Sequence, residues 1–93
     1  STPELNLKMA EGEPFALIAR LKAEGRFDGA TEMITIDGLR VEYPDGFGLA
    51  RPSNTTPVVV LRFEADNDPA LARIQGDFRA AIQGVWPGVA LPF

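Results

Sequence analysis

The stretch TEMITIDGLRVEY, residues 31–43, decides how this 93-residue chain folds. Two runs of alternating apolar and polar residues flank Asp37-Gly38. Alternation at period two marks a half-buried strand. Asp-Gly favours a two-residue turn with positive φ at both central positions, whose twist suits paired strands. The expected register sets Ile36 opposite Leu39, Ile34 opposite Val41 and Glu32 opposite Tyr43. Ile34, Ile36, Leu39, Val41 and Tyr43 then share a core face, and Thr35, Asp37, Arg40 and Glu42 the outer one.

Upstream, Leu5, Leu7 and Met9 alternate with polar or small residues and predict a short strand. A helix is expected over 13–24. Pro14 sits near its start, where a missing N–H costs nothing, and Gly25 stops it. Phe15, Ile18 and Leu21 form its apolar stripe, widened by Leu17. Downstream, Pro44-Asp45-Gly46 reads as a second turn, and Gly46-Phe47-Gly48 as a tight turn before an apolar residue. The latter lacks the third glycine and following helix of a dinucleotide fingerprint. Residues 47–50 form a short returning strand. In residues 58–65, Val59, Leu61 and Phe63 point to the core. Arg62 and Glu64 point out, to pair across strands with Arg40 and Glu42. Val58 and Val60 share that outer face, which is therefore expected to be partly covered.

A second helix follows, with Asp68 as N-cap and Pro69 at its first position. Leu71, Ile74, Phe78, Ala81, Ile82 and Val85 make its stripe. Asp66 and Asp68 could also be read as metal ligands, but capping already explains them. Gly76 is expected to mark a close approach to the sheet. Trp86-Pro87-Gly88 ends the helix, and the apolar tail at 89–93 must pack against the core or a partner. The order β-α-β-β-β-β-α predicts an α+β fold: an antiparallel sheet of four to five strands with two helices on one face.

Composition narrows the chemistry. The chain has no cysteine and no histidine, which removes thiolate chemistry and the commonest general base and metal ligand. A net charge of -4 argues against nucleic acid as a general partner. No apolar run approaches the roughly 20 residues that span a membrane, and a cytoplasmic location is expected. The opening STPE resembles the polar, proline-containing segments that join domains. The chain reads as a fragment or a processed chain, with residues 1–4 as a linker remnant ahead of one domain at 5–93.

Between the two apolar strands lies RPSNTTP, residues 51–57. Arg51 offers a fork of donors suited to phosphate or carboxylate, and Ser53, Asn54 and Thr55 add hydroxyl and amide donors. Successive backbone N–H groups in such a loop also favour anions. The residue types fit a solvated turn at least as well, since serine, threonine and asparagine satisfy turn backbones routinely. Asn54-Thr55-Thr56 also matches the glycosylation acceptor pattern. Both an anion site and a plain turn remain open on these grounds.

The segment DGLRVEYPDGFGLARPSNTTPVVVLRFEADN resembles the C-terminal, fourth domain of bacterial phosphomannomutase/phosphoglucomutase, in the α-D-phosphohexomutase superfamily. Its most specific part is R-x-S-N-T-T-P following D-G-x-R-x-x-Y and G-x-G-L. The resemblance runs over nearly the whole chain. It implies a fold like the TATA-binding protein and a role in reversible 1-phosphate/6-phosphate transfer on glucose or mannose. By this resemblance Arg51, Ser53, Asn54 and Thr55 hold the substrate phosphate that is not reacting. Ser1, Thr2 and Pro3 would be the hinge that lets the domain close over the sugar. The catalytic serine and the magnesium loop belong to other domains and their motifs are absent, so this chain alone should be inactive. The resemblance implies no cofactor here, with Mg2+ and a hexose 1,6-bisphosphate activator serving the full enzyme. The implied partners are hexose phosphates and the other three domains, not nucleic acid or membrane. The alternatives are a stand-alone small-ligand or RNA-binding α+β module, and a purely structural interaction domain. An outer sheet face without an aromatic stacking pair argues against RNA.

Overall fold

A computed structural model describes residues 4–93 of the chain. The hinge reading of Ser1, Thr2 and Pro3 lies outside these residues. The elements are β1 (Leu5–Lys8), α1 (Glu13–Glu24), β2 (Glu32–Ile34), β3 (Leu39–Tyr43), β4 (Gly46–Pro52), β5 (Val58–Ala65) and α2 (Asp68–Val85). The sheet order is β1-β5-β4-β3-β2, antiparallel throughout. The expected α+β architecture, element order and bounds of α1 hold.

Both helices cover one face. Leu7, Leu39, Val41, Tyr43, Ala50, Val59, Leu61 and Phe63 point to them from the sheet and are buried. From the helices come Leu17, Ile18 and Leu21, then Ile74, Phe78, Ala81, Ile82 and Val85. The C-terminal tail packs against this core through Val89, Leu91 and Phe93. Phe93 lies 5.1 Å from Phe63, ring centre to ring centre. No helix among the described residues is long and apolar enough to cross a membrane.

Helix ends follow capping chemistry, with one correction. The α1 stop is as read: the Gly25 N–H donates to Leu21 O at 2.9 Å. At α2 the cap is Asn67, not Asp68. Its Oδ1 accepts from the Ala70 N–H at 2.9 Å, and Asp68 lies inside the first turn. There an aspartate still complements the helix dipole. Phe15 also departs from its expected place and is 56% exposed, because Pro14 and Leu17 take the sheet-facing positions.

The β2–β3 register slips by one residue from the expected one. Met33 faces Val41, Ile34 faces Arg40 and Glu32 faces Glu42. Of Asp37 and Gly38, only Gly38 has positive φ, so the two-residue turn is not formed. A one-residue slip moves every side chain to the other face. Ile34 turns outward and Ile36 is left 86% exposed. β2 is a three-residue edge strand whose main contacts are with β3. So little of its apolar surface meets the helices that burial cannot dictate its register.

β4 is longer than expected and contains Gly46, Phe47 and Gly48, which are strand rather than turn. The close approach assigned to Gly76 belongs to Gly48. A Cβ on Gly76 would meet nothing within 4 Å, whereas one on Gly48 would lie 2.3 Å from Phe78 Cε1. Phe78 enters this notch and also meets Phe27 and Phe63, at 4.9 and 5.2 Å between centroids. On the outer face β4 separates β3 from β5. Arg40 and Glu42 therefore pair along their own strand, as do Arg62 and Glu64, instead of across strands. Val58 and Val60 are half-buried on this face.

Two measurements probe this core. Gly48→Ala overpacks the notch and is expected to cost about 1–3 kcal/mol. Combined with Phe78→Leu, it should cost less than the sum of the two single changes in urea unfolding, because the smaller side chain vacates the space. The second concerns Tyr43, whose hydroxyl donates to Asp77 Oδ2 at 2.8 Å. Burial, then the Asp77 hydrogen bond, push the phenol well above its ordinary value. The folded state thus holds this proton more tightly than the unfolded one. The stabilisation is complete below the unfolded pKa of about 10 and is lost as pH rises beyond it. Tyr43 is the one tyrosine in the chain. Tyr43→Phe should therefore lower stability at neutral pH and flatten its decline above pH of about 10 in denaturation curves.

Candidate functional site

β4 and β5 meet at the loop read from the sequence as an anion site or a plain turn. The strand extends further than expected, so Arg51 and Pro52 belong to β4 and only residues 53–57 form the loop. Arg51 lies opposite Val60, on the outer face that Leu49 and Phe47 also occupy. It is exposed and enters none of the ion pairs among the described residues.

The loop is closed by its own backbone. The Ser53 N–H donates to Val58 O at 2.9 Å, and the Val58 N–H to Thr56 O at 2.8 Å. The Met9 N–H donates to Pro57 O at 2.9 Å, which ties the loop base to the end of β1. Within this frame Ser53 Oγ is a hub. It accepts from the Thr55 N–H at 3.3 Å, the Thr56 N–H at 3.4 Å and the Thr56 hydroxyl at 3.4 Å. The Thr55 hydroxyl lies 3.3 Å away. All are longer than the usual 2.9–3.0 Å, so each is a weak bond. Two backbone N–H groups and two hydroxyls thus converge on one neutral oxygen. An anionic oxygen accepts roughly twice as strongly as a neutral one, so donors held this weakly by Ser53 are able to turn to an anion.

Two hollows flank the loop. One of about 80 Å³ lies between Ser53–Pro57 and the start of α1 at Gly12, Pro14 and Phe15. The other, about 220 Å³, is lined by Asp37, Gly38, Arg51, Pro52 and Asn54. The four residues singled out in the sequence are therefore split. Ser53 and Thr55 line the first hollow, Arg51 lines the second, and Asn54 lines both. Thr56 was not among them, yet two of its groups reach the Ser53 hub; the paired threonines were the signal for it. Gly38, read only as a turn residue, borders Arg51. Its place depends on the β3–β4 pairing, which no local pattern reveals.

On the outer face Phe47 lies beneath Arg40, whose guanidinium carbon is 4.0 Å from the ring centroid. An aromatic covered in this way does not offer a platform for bases, which weighs against the RNA alternative. Among the described residues no three acidic, cysteine or histidine side chains form a group able to hold a metal ion.

Comparison with known proteins finds relatives along the whole chain. A family model described as phosphoglucomutase/phosphomannomutase, C-terminal domain, matches residues 4–81. The phosphoglucomutase of Neisseria gonorrhoeae is 58% identical over 94% of this chain. The phosphomannomutase/phosphoglucomutase of Pseudomonas aeruginosa PAO1 is 46% identical over all of it. The chain spans 20% of the length of each of these relatives. A crystal structure of a phosphoglucomutase/phosphomannomutase family protein from Burkholderia thailandensis superimposes with a TM-score of 0.90 and 65% identity. That match covers 99% of this chain and 19% of the other.

Ser53→Ala tests the hub directly. The amide protons of Thr55 and Thr56 should exchange faster by hydrogen exchange, because their acceptor is gone. Global stability should change by less than about 1 kcal/mol, since the bonds are long and the site is exposed.

Proposed function

Because the chain belongs to the phosphoglucomutase/phosphomannomutase C-terminal domain family, we propose that it is the phosphate-gripping domain of a hexose phosphate mutase. Arg51, Ser53, Asn54 and Thr55 hold the phosphate that is not reacting, with Thr56 contributing its N–H and hydroxyl. One observation supports this reading above others: donors converge on Ser53 Oγ in a loop that directly follows an arginine without an ion-pair partner among the described residues.

The chemistry follows from what the loop can do. It can grip a phosphate and orient it, and it offers no general base to activate its hydroxyls. Its recognition ignores the sugar, so a hexose phosphate can be held in either orientation, as exchange between the 1- and 6-positions requires. The domain turns toward the rest of the parent chain, brings the loop onto the phosphate and excludes water. Phosphoryl transfer itself, magnesium and the hexose 1,6-bisphosphate activator belong to the remainder of that chain. This domain alone is inactive, and the parent enzyme works in the cytoplasm.

Titration of the isotopically labelled chain with inorganic phosphate, glucose 1-phosphate and mannose 1-phosphate tests the proposal. The amide NMR signals of residues 51–56 should shift, with dissociation constants on the order of millimolar. Binding should weaken with added salt. Arg51→Ala should abolish the shifts and leave the remaining spectrum folded. No response in residues 51–56 at tens of millimolar ligand would sink the assignment.

A further inference from the structure

The β2–β3 turn stands against the root of Arg51. Leu39 pairs with Ala50, so the next residues along, Gly38 and Arg51, come side by side. Gly38 is buried and has φ 105°. A Cβ built on it would lie 2.7 Å from Ala50 O, 2.7 Å from Arg51 Cβ and 3.0 Å from Arg51 Cα. Opposed residues on paired strands ordinarily keep their Cβ atoms about 4.5–5.5 Å apart. The positive φ is what aims a side chain at this position into Arg51. Gly12, Gly29 and Gly88 make the contrast. Their φ angles are 84°, 83° and 87°, yet an added Cβ would meet nothing within 4 Å at any of them. Those three need glycine for backbone freedom alone, whereas Gly38 needs it for that and for the space Arg51 occupies.

We infer that Gly38 is a positioning residue for anion recognition by Arg51, an inference that rests on the phosphate-binding reading above. By lacking a side chain it lets the turn close on the Cα and Cβ of Arg51, forming one wall of the hollow shared with Asn54. A wall against Cβ restricts χ1 of a long, otherwise exposed side chain. Less rotamer freedom is then lost when the guanidinium meets phosphate. A methyl at residue 38 pushes Arg51 or β4 away, and the guanidinium no longer reaches the oxyanion that the loop holds.

The test compares Gly38→Ala, Gly29→Ala and Arg51→Ala in the phosphate titration, each checked for folding by its amide spectrum. Gly29→Ala carries the same kind of backbone strain far from any neighbour. It should lower the melting temperature and leave the phosphate dissociation constant within about twofold, since no contact of the site is touched. Gly38→Ala should raise that constant at least about tenfold, the scale of one charge-assisted hydrogen bond. Arg51→Ala should abolish binding. If Arg51→Ala abolishes binding but Gly38→Ala binds like Gly29→Ala, the inference fails and the phosphate assignment stands. If phosphate shifts nothing in the unsubstituted chain, both fall. Should Gly38→Ala not fold, side-chain scalar couplings in the unsubstituted, phosphate-free chain decide. A single χ1 rotamer for Arg51 supports the inference, and rotamer averaging overturns it.

Discussion

The fold turns on Phe78 entering the space left by Gly48. β4 lies at the centre of the sheet, and its core-facing residues include Gly48 and Ala50. Any side chain at residue 48 would overlap the Phe78 ring. That notch lets α2 settle onto the sheet so that Phe78 reaches Phe27 and Phe63, and Phe63 in turn meets Phe93. A chain of this length has one modest core, so a single well-filled contact at its centre governs much of the rest. Tyr43 and Asp77 hold α2 beside the notch, and Arg20 holds its far end by donating to Val85 O at 2.8 Å.

The same strand carries the candidate site. Alternation along β4 sends Gly48 and Ala50 to the core and Leu49 and Arg51 to the outer face. Arg51 is thus held at its backbone by the strand whose position the core sets most firmly. The loop beyond it is tied at both ends, by Ser53 to Val58 and by Pro57 to Met9. Its middle is held by the Val58 N–H to Thr56 O bond and by the long bonds to Ser53 Oγ. A rigid frame with an easily reorganised centre is what the proposed uptake and release of phosphate would need.

Charge on the outer face is arranged to leave Arg51 available. Arg40 and Arg62 are engaged by Glu42 and Glu64 within their own strands, and Arg73 by Asp45. Arg73, through its hydrogen bond, holds the Asp45 carboxyl below its usual range. Arg51 meets no such partner among the described residues, although the chain carries 13 acidic residues against 9 basic ones. In an acidic protein an arginine outside these ion pairs, just ahead of a loop of N–H donors, is the basic group that the proposed phosphate site would use.

Local chemistry was legible in the sequence. The bounds of α1 followed from Pro14 and Gly25, the core set of β5 from its alternation, and most of the α2 face from its spacing. The donors of residues 51–55 could be named, while their tie to phosphate rests on the family resemblance alone. Tertiary structure decided what depends on neighbours. The β2–β3 register went against Asp-Gly turn preference because a three-residue edge strand buries too little to enforce one face. The glycine at the close approach is Gly48, not Gly76, because the partner of Phe78 lies some thirty residues away in sequence. The outer-face charges pair along strands because β4 intervenes. Gly38 stands by Arg51 only because β3 pairs with β4. Periodicity and capping act over a few residues and are written locally, whereas register and close approach arise from which surfaces meet.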